Sequence, residues 1–399
     1  MTVAPGDIEL SEDQSAAIAR VLDWYHGRQS PLLTLGGYAG TGKTTLIREM
    51  IRLVGESRVA VCAYTGKAAH VLRSKGIAKA KTIHATIYTP EKRCKRCQRV
   101  VEGEWCKFMP DCIGAGTMTT WPLVPLLDAD LVIVDEASMV SAEIHADLLS
   151  FGVPLLYVGD HGQLEPIGNN PRLMVEPTVR LETIHRQAAG SPILQFAHHV
   201  RTHGVPQTTG AEARVEMTWR VPHDAHTYDM VLCGKNSTRV AINRMVRRAL
   251  GFEGALPQAG ERVVCLRNNK EHAIFNGMLA TVLDVRADDS VDHPELDIVD
   301  DDNRVVRGIR FVPEQFGDPD KLDKSSSRKA LFDWGYALTV HKSQGSEWAR
   351  VLVIEQFPHP DTSPARWRYT AATRAAKELV WCMRPDPVTR LVQQQGNLV

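Results

Sequence analysis

No apolar run in this sequence approaches the roughly 20 residues of a membrane-crossing helix, which excludes a helical span. Residues 1–10 hold no basic stretch followed by an apolar core, so no secretory leader is visible there. A cytoplasmic protein is the expectation. Excess charge of either sign is lacking: Lys plus Arg total 47, and Asp plus Glu total 47. Zero net charge neither requires nor excludes a nucleic-acid partner, because a local basic groove can be offset by acid elsewhere. Short-period repeats are absent, which argues against a solenoid. Inside a cell the eight cysteines read as thiols or metal ligands rather than disulfides. What is present is ordinary for a globular protein of two or more domains: 399 residues, 43% hydrophobic and 24% charged.

One stretch organises the rest. Gly37-Tyr38-Ala39-Gly40-Thr41-Gly42-Lys43-Thr44-Thr45 reads G-x-x-x-x-G-K-[ST], the phosphate-binding loop. Leu32 to Leu35 before it reads as a strand, and Thr45 to Ile51 after it as a helix. Glycines let successive backbone N–H groups turn toward an anion, and the helix N-terminus adds partial positive charge. Lys43 is placed for the β/γ-phosphates and the Thr44 hydroxyl for Mg²⁺. Further on, Leu131-Val132-Ile133-Val134 is an apolar strand ending in Asp135-Glu136. This is the second half of a phosphate-loop NTPase, with Asp135 toward Mg²⁺ and Glu136 toward the attacking water. Gln163, just past the strand Leu155 to Asp160, carries a carboxamide able to sense a γ-phosphate.

Elsewhere, Ser11 caps a helix with Ala16, Ala17, Ile18, Val21 and Leu22 on its apolar face. A second unit is expected from about residue 176, giving domains 1–175 and 176–399. Thr238 to Leu250 reads as an amphipathic helix whose Arg239, Arg244, Arg247 and Arg248 form either a solvated basic face or a nucleic-acid contact. Within the second unit, 255–329 reads as a small β-barrel and a mobile link, with Asn276-Gly277 as a hairpin signal. Tyr369 to Ala375 reads as a helix with an exposed Arg374.

Residues 88–128 lack helical periodicity and form an insert. Their cysteines run C-x₂-C-x₈-C-x₅-C through Cys94, Cys97, Cys106 and Cys112. Four thiolates make a closed tetrahedral site suited to structural zinc, with four free thiols, or a site using three of them, as the alternative. Cys62, Cys233, Cys265 and Cys382 lie in apolar strand patterns and read as core. Trp105 and Phe108 could stack on the last base pair of a duplex or pack on the knuckle; both readings stand.

In order and spacing, these motifs resemble those of superfamily 1 DNA helicases of the RecD-like and Dda-like group, over about 10–384 but not 88–128. Gln14 resembles the adenine-reading glutamine, and Thr65-Gly66-Lys67-Ala68-Ala69 an element touching the DNA backbone. Thr82-Ile83-His84, Asp135 to Met139, Gly159-Asp160 with Gln163, His185-Arg186-Gln187, Leu338 to Gly345 and Tyr369 to Ala375 resemble the succeeding motifs. The resemblance implies an α/β fold of two RecA-like parallel-sheet domains with ATP and Mg²⁺ between them. It also implies an SH3-like β-barrel insert in the second domain, and a β-hairpin pin that splits duplex where the Cys-rich insert lies. Lys43, Asp135, Glu136, Gln163, Arg186 and Arg374 take the catalytic roles. Gln14, Gly37, Ala39, Gly40, Thr41, Gly42, Lys43, Thr44, Thr45, Asp135 and Gly345 take the cofactor-binding ones. Thr65, Gly66, Lys67, His84, Thr339, His341 and Lys342 are the expected DNA contacts. The sequences DEASM and HKSQG resemble the 5′→3′ branch. A monomer acting on single-stranded and forked DNA is the expectation, with replication or recombination proteins as partners. RNA unwinding and protein displacement remain alternatives within the same superfamily, and a non-catalytic binding module outside it.

Overall fold

The computed structural model describes the chain apart from residues 1–9, 90, 103–105, 107–109, 113–115, 166–170, 184–189, 219, 268, 270–271, 273, 275, 288–293, 302, 318–328 and 384–399. The first helix, α1 (Glu12–Gly27), starts where Ser11 and Gln14 form a reciprocal capping box. Its buried stripe of Ala17, Ile18, Val21 and Tyr25 packs on a six-stranded parallel sheet. That sheet comprises β1 (Leu32–Gly37), β2 (Val59–Ala63), β3 (Lys81–Thr82), β6 (Leu131–Asp135), β7 (Leu155–Gly159) and β8 (Val179–Leu181), ordered β3-β2-β6-β7-β1-β8. Its central strands are apolar throughout because helices cover both faces: α2 (Lys43–Val54) and α3 (Gly66–Ser74) on one, α4 (Ile83–Ile87) and α5 (Ala142–Ser150) on the other.

The expected division at 175/176 falls too early. Val179–Leu181 pairs with Leu35–Gly37, and Thr178 N–H donates to Thr34 Oγ1, so the chain leaves the first sheet after Leu181. Between α4 and β6 the insert forms a separate hairpin of β4 (Glu91–Cys94) and β5 (Thr117–Thr120).

A second parallel sheet holds β9 (Ala213–Met217), β10 (Met230–Cys233), β16 (Ala337–Thr339), β17 (Trp348–Ile354) and β18 (Ala375–Met383), ordered β16-β10-β17-β18-β9. Helices α6 (Pro192–His203) and α8 (Pro364–Ala372) cover one face, with Phe196, Trp367 and Trp381 fully buried. On the other lies α7 (Asn236–Ala249), followed by an antiparallel sheet of β11 (Arg262–Cys265), β12 (Leu279–Arg286), β13 (Glu295–Asp300), β14 (Val305–Arg310) and β15 (Phe332–Trp334). A bridge between Phe311 and Ala330 draws its two edges together. Since Phe332–Trp334 pairs with β11, this sheet runs past residue 329, the end expected from sequence.

The basic helix departs from both sequence readings at two of its four arginines, while Arg244 and Arg248 are exposed. Arg239 is 1% exposed and paired with Asp333 at 2.7 Å, and Arg247 is buried against Glu261. These two arginines join α7 to the antiparallel sheet. A fully desolvated guanidinium is tolerable only with its carboxylate beside it. The thiols of Cys62, Cys233, Cys265 and Cys382 are buried in strands as core residues. No helix among the described residues is long and apolar enough to cross a membrane.

Candidate active site and nucleic-acid cleft

The phosphate loop leaves the C-terminal end of β1, the edge of a parallel sheet where ligands bind. Gly40 and Gly42 have φ of 82° and 80°, and Gly42 is the left-handed N-cap of α2. That conformation turns the first amides of α2 toward the loop's interior. Lys43 Nζ donates to the carbonyls of Gly37 (2.7 Å) and Tyr38 (3.0 Å), so the cation is held inside the loop. Thr44 and Thr45 follow in the first turn of α2. Gln14, 2% exposed, donates to Thr41 O, which fixes its amide beside the loop.

Asp135 ends β6. Burial, then the neighbouring Glu136 carboxylate, raises its carboxyl from 3.8 to about 6, against the pull of Lys43 and Lys75. Glu136 sits at φ 53°, a left-handed conformation uncommon for a glutamate, and its Oε2 is buried without a hydrogen-bond partner. Ser138 Oγ and Gln163 Oε1 are likewise buried and unpartnered. Buried polar atoms normally find partners. Beside a loop with inward amides and a held lysine, these donors and acceptors fit a hydrated Mg²⁺–triphosphate.

The second domain closes against this site. Leu164 N–H donates to Thr370 Oγ1 and Gln344 Nε2 to Leu164 O, both at 2.8 Å, while Arg366 pairs with Glu165. Ala39 N–H donates to Tyr369 Oη, which donates to Asp160 Oδ2. Arg201 of α6 lies 3.9 Å from the Tyr38 ring centroid and donates to its hydroxyl. None of Tyr38, Asp160, Arg201 or Tyr369 was assigned a role from sequence. Tyr38 lies inside the loop motif itself, an aromatic at a position otherwise read as free. Arg374 departs from expectation: it follows α8 rather than lying on it, and it is 6% exposed. Its guanidinium donates to neutral oxygens, Thr370 O, Ser346 O and Thr373 Oγ1. Arg186, with His185 and Gln187, lies outside the described residues.

A cleft of about 180 Å³ opens between the domains, lined by Thr65, Lys67, His341 and Lys342, with Leu266 and Asn276 from the antiparallel-sheet region. Four of the expected DNA contacts thus converge. Thr65 Oγ1 caps α3 by accepting from Ala68 N–H, and Lys67 Nζ lies 4.7 Å from the Trp348 ring centroid. Burial holds His341 below the ordinary imidazole value, so near neutral pH it presents an uncharged ring. Gly66 and His84 do not line the cleft, although His84 is exposed on α4. Thr339 is buried at 7% exposure and is no surface contact. Gly345, grouped with the nucleotide residues from sequence, instead has Thr65 and Ala68 as its neighbours, because the turn after β16 packs on α3.

In the insert, the sulfurs of Cys94, Cys97, Cys106 and Cys112 all lie within 4.8 Å of one another. Cys97 and Cys106 are 3.6 Å apart, close to the roughly 3.8 Å edge of a tetrahedron with 2.3 Å zinc–sulfur bonds. A hydrogen bond from the Cys97 backbone pulls the Cys94 thiol down, whereas burial pushes Cys112 up. The donor set and spacing fit zinc. Trp105 and Phe108 lie outside the described residues.

A family model described as an AAA domain matches residues 9–218, more than half of the chain, and one described as a UvrD-like helicase C-terminal domain matches 335–381. The ATP-dependent RecD2 DNA helicase of Deinococcus radiodurans is 29% identical over 92% of this chain. The chain belongs to the family of that AAA-domain model, with a RecD-type DNA helicase among its relatives. It spans 48% of that relative's length. A solved structure of two coordinating Pif1 helicases at forked duplex DNA shares the fold, with TM-score 0.58, 18% identity and 98% of each chain covered. Bacteroides Pif1 bound to single-stranded DNA does so at TM-score 0.55 and 18% identity, covering 98% of this chain and 99% of that one. The two parallel sheets accordingly correspond to the two RecA-like domains of that fold.

Proposed function

We propose that this chain hydrolyses ATP to move 5′→3′ along single-stranded DNA and to separate duplex ahead of it. One observation carries the reading: the phosphate loop and the Gln163 loop meet the second domain at the same interface that flanks the Thr65–Lys67–His341–Lys342 cleft, with Gln344 both bonded to Leu164 and lining that cleft. Opening or closing that interface therefore changes the cleft.

Lys43 would neutralise the β/γ-phosphates, and Thr44 and Asp135 would hold Mg²⁺, which supplies charge neutralisation at the transferring phosphoryl group. Glu136 is the group that would orient and deprotonate the attacking water, and its unpartnered Oε2 is free to do so. Gln163 would bond the γ-phosphate. Arg374 and Arg186 would supply positive charge from the second domain, a contribution worth about 10³-fold or more in rate. Gln14 would read adenine. Lys67 and Lys342 would hold backbone phosphates, giving sequence-independent, salt-sensitive binding. RecD2 is named as an ATP-dependent DNA helicase, and Bacteroides Pif1 was solved with single-stranded DNA; both support DNA as the track.

The first domain would run to Leu181, with the Cys-rich insert at 88–128 held by one zinc and acting as the strand-separating pin. The antiparallel sheet would be the second domain's SH3-like insert. The working unit would be a monomer. The test is ATPase turnover with single-stranded DNA or RNA of equal length, in wild type and Lys43→Ala. Stimulation by DNA that Lys43→Ala abolishes is expected. Stimulation by RNA alone, or above a tenth of wild-type turnover in Lys43→Ala, contradicts the reading.

A further inference from the structure

The phosphate loop is gripped from the second domain by a side chain that sequence motifs leave without a role. Tyr369 is 2% exposed; its hydroxyl accepts from Ala39 N–H at 2.9 Å and donates to Asp160 Oδ2 at 2.8 Å. A carboxylate only accepts, so the phenol must be the donor to Asp160. Burial and the Asp160 charge both raise the phenol well above its ordinary value, which keeps that proton in place. Asp160 in turn accepts from Gly162 N–H at 2.9 Å and from Gln163 Nε2 at 3.4 Å. The Gln163 amide is thereby turned so that its Oε1 is the buried atom without a partner. Gly162 matches this closeness: a Cβ there would stand 3.0 Å from ring carbons of both Tyr369 and Tyr38.

We infer that Tyr369 is a positioning residue, which sets the loop bearing Gln163 from the second domain and ties it to the phosphate loop through one hydroxyl. The inference rests on the ATPase reading above. Arg374 follows Tyr369 by five residues, and its guanidinium bonds to the carbonyl of Thr370. One short segment thus carries both a charge for the phosphoryl group and the link that orients the opposing loop. When the domains part, both withdraw together, so hydrolysis is confined to the closed form. A tyrosine serving only as core would need its ring and not its hydroxyl.

The test uses the full chain and measures single-strand-stimulated ATPase in Tyr369→Phe, Asp160→Asn and the double variant, with affinity for a fluorescent ADP analogue as a check on the folded site. Phenylalanine keeps the packing against Tyr38 and deletes one oxygen. Tyr369→Phe is expected to lower kcat about tenfold, with KM for ATP and ADP affinity within about twofold. Asp160→Asn should behave alike. The double variant should be no more than about twofold worse than the weaker single one, because the two groups act as a unit. A wild-type kcat in Tyr369→Phe, equal losses in kcat and ADP affinity, or losses that multiply in the double variant would overturn the inference. Wild type in the same assay separates the claims. An active wild type with an equally active Tyr369→Phe refutes the positioning role alone, whereas an inactive wild type refutes the proposed activity and this inference with it.

Discussion

Replacing Asp135 by Asn should stabilise the nucleotide-free chain while ending its hydrolysis. The carboxyl ends β6 half-buried, and burial plus Glu136 lift it from 3.8 to about 6. In the unfolded chain it ionises near its ordinary value, so between about pH 4 and 6 folding takes up a proton. Below about pH 4 the group is neutral in both states and costs nothing. Above pH 6 it is charged in both, and the full penalty applies. A rise of this size corresponds to roughly 3 kcal/mol, an upper figure because solvent reaches part of the group; about 1–2 kcal/mol is the expectation. For a domain of this size that is a melting shift of roughly 3–6 °C. Calorimetric melts of wild type and Asp135→Asn in Mg²⁺-free buffer, from about pH 4 to 7.5, read it directly. The variant's advantage should be near zero at the acid end, grow through the interval and level off above pH 6. A variant that melts below wild type, or an advantage independent of pH, would refute the assigned electrostatics. The result would also mean that the site gives up stability to keep two carboxylates together, as active sites commonly do.

Other outcomes follow from the same geometry. Glu136→Gln should bind ATP with near wild-type affinity yet lose turnover by about 10²-fold or more; lost binding would make Glu136 a structural residue. Arg374→Ala and Arg186→Ala should each lower kcat far more than ADP affinity, and parallel losses would remove them from the γ-phosphate. Protein purified without chelator should carry one zinc per chain. Cys94→Ser with Cys97→Ser should lose both the zinc and strand separation while keeping most single-strand-stimulated ATPase. Normal unwinding by that double variant would refute the pin.

What the sequence revealed was local. Gly37 to Thr45 and Leu131 to Glu136 each pack a strand end, a turn and their chemistry into a few adjacent residues, so order along the chain is nearly order in space. Ser11 and Gln14 likewise cap their own helix. What stayed hidden depends on residues far apart. Arg239 reads as surface charge until Asp333, 94 positions later, is seen beside it. Val179–Leu181 is three residues long, too short for its pattern to say which sheet it joins, so the sequence alone places the boundary before it. Arg374 reads as exposed because it has no acidic partner at i−4 on the helix expected over Tyr369 to Ala375, yet its partners are backbone carbonyls that no residue pattern displays. The roles expected of Thr339 and Gly345 rest on motif membership, which gives a neighbourhood without the direction a side chain faces. Tyr369 meets a loop amide 330 residues away, a contact only the closed interface reveals.

The central claim is ATP-driven movement in one direction along a strand, and unwinding of tailed duplexes tests it most directly. One duplex carries a 5′ single-stranded tail, another a 3′ tail, and strand release is followed with ATP and Mg²⁺ at fixed salt, with Lys43→Ala as the inactive control. The chain should release strand from the 5′-tailed duplex and leave the 3′-tailed one paired. Release from the 3′ tail with none from the 5′ tail would contradict the account.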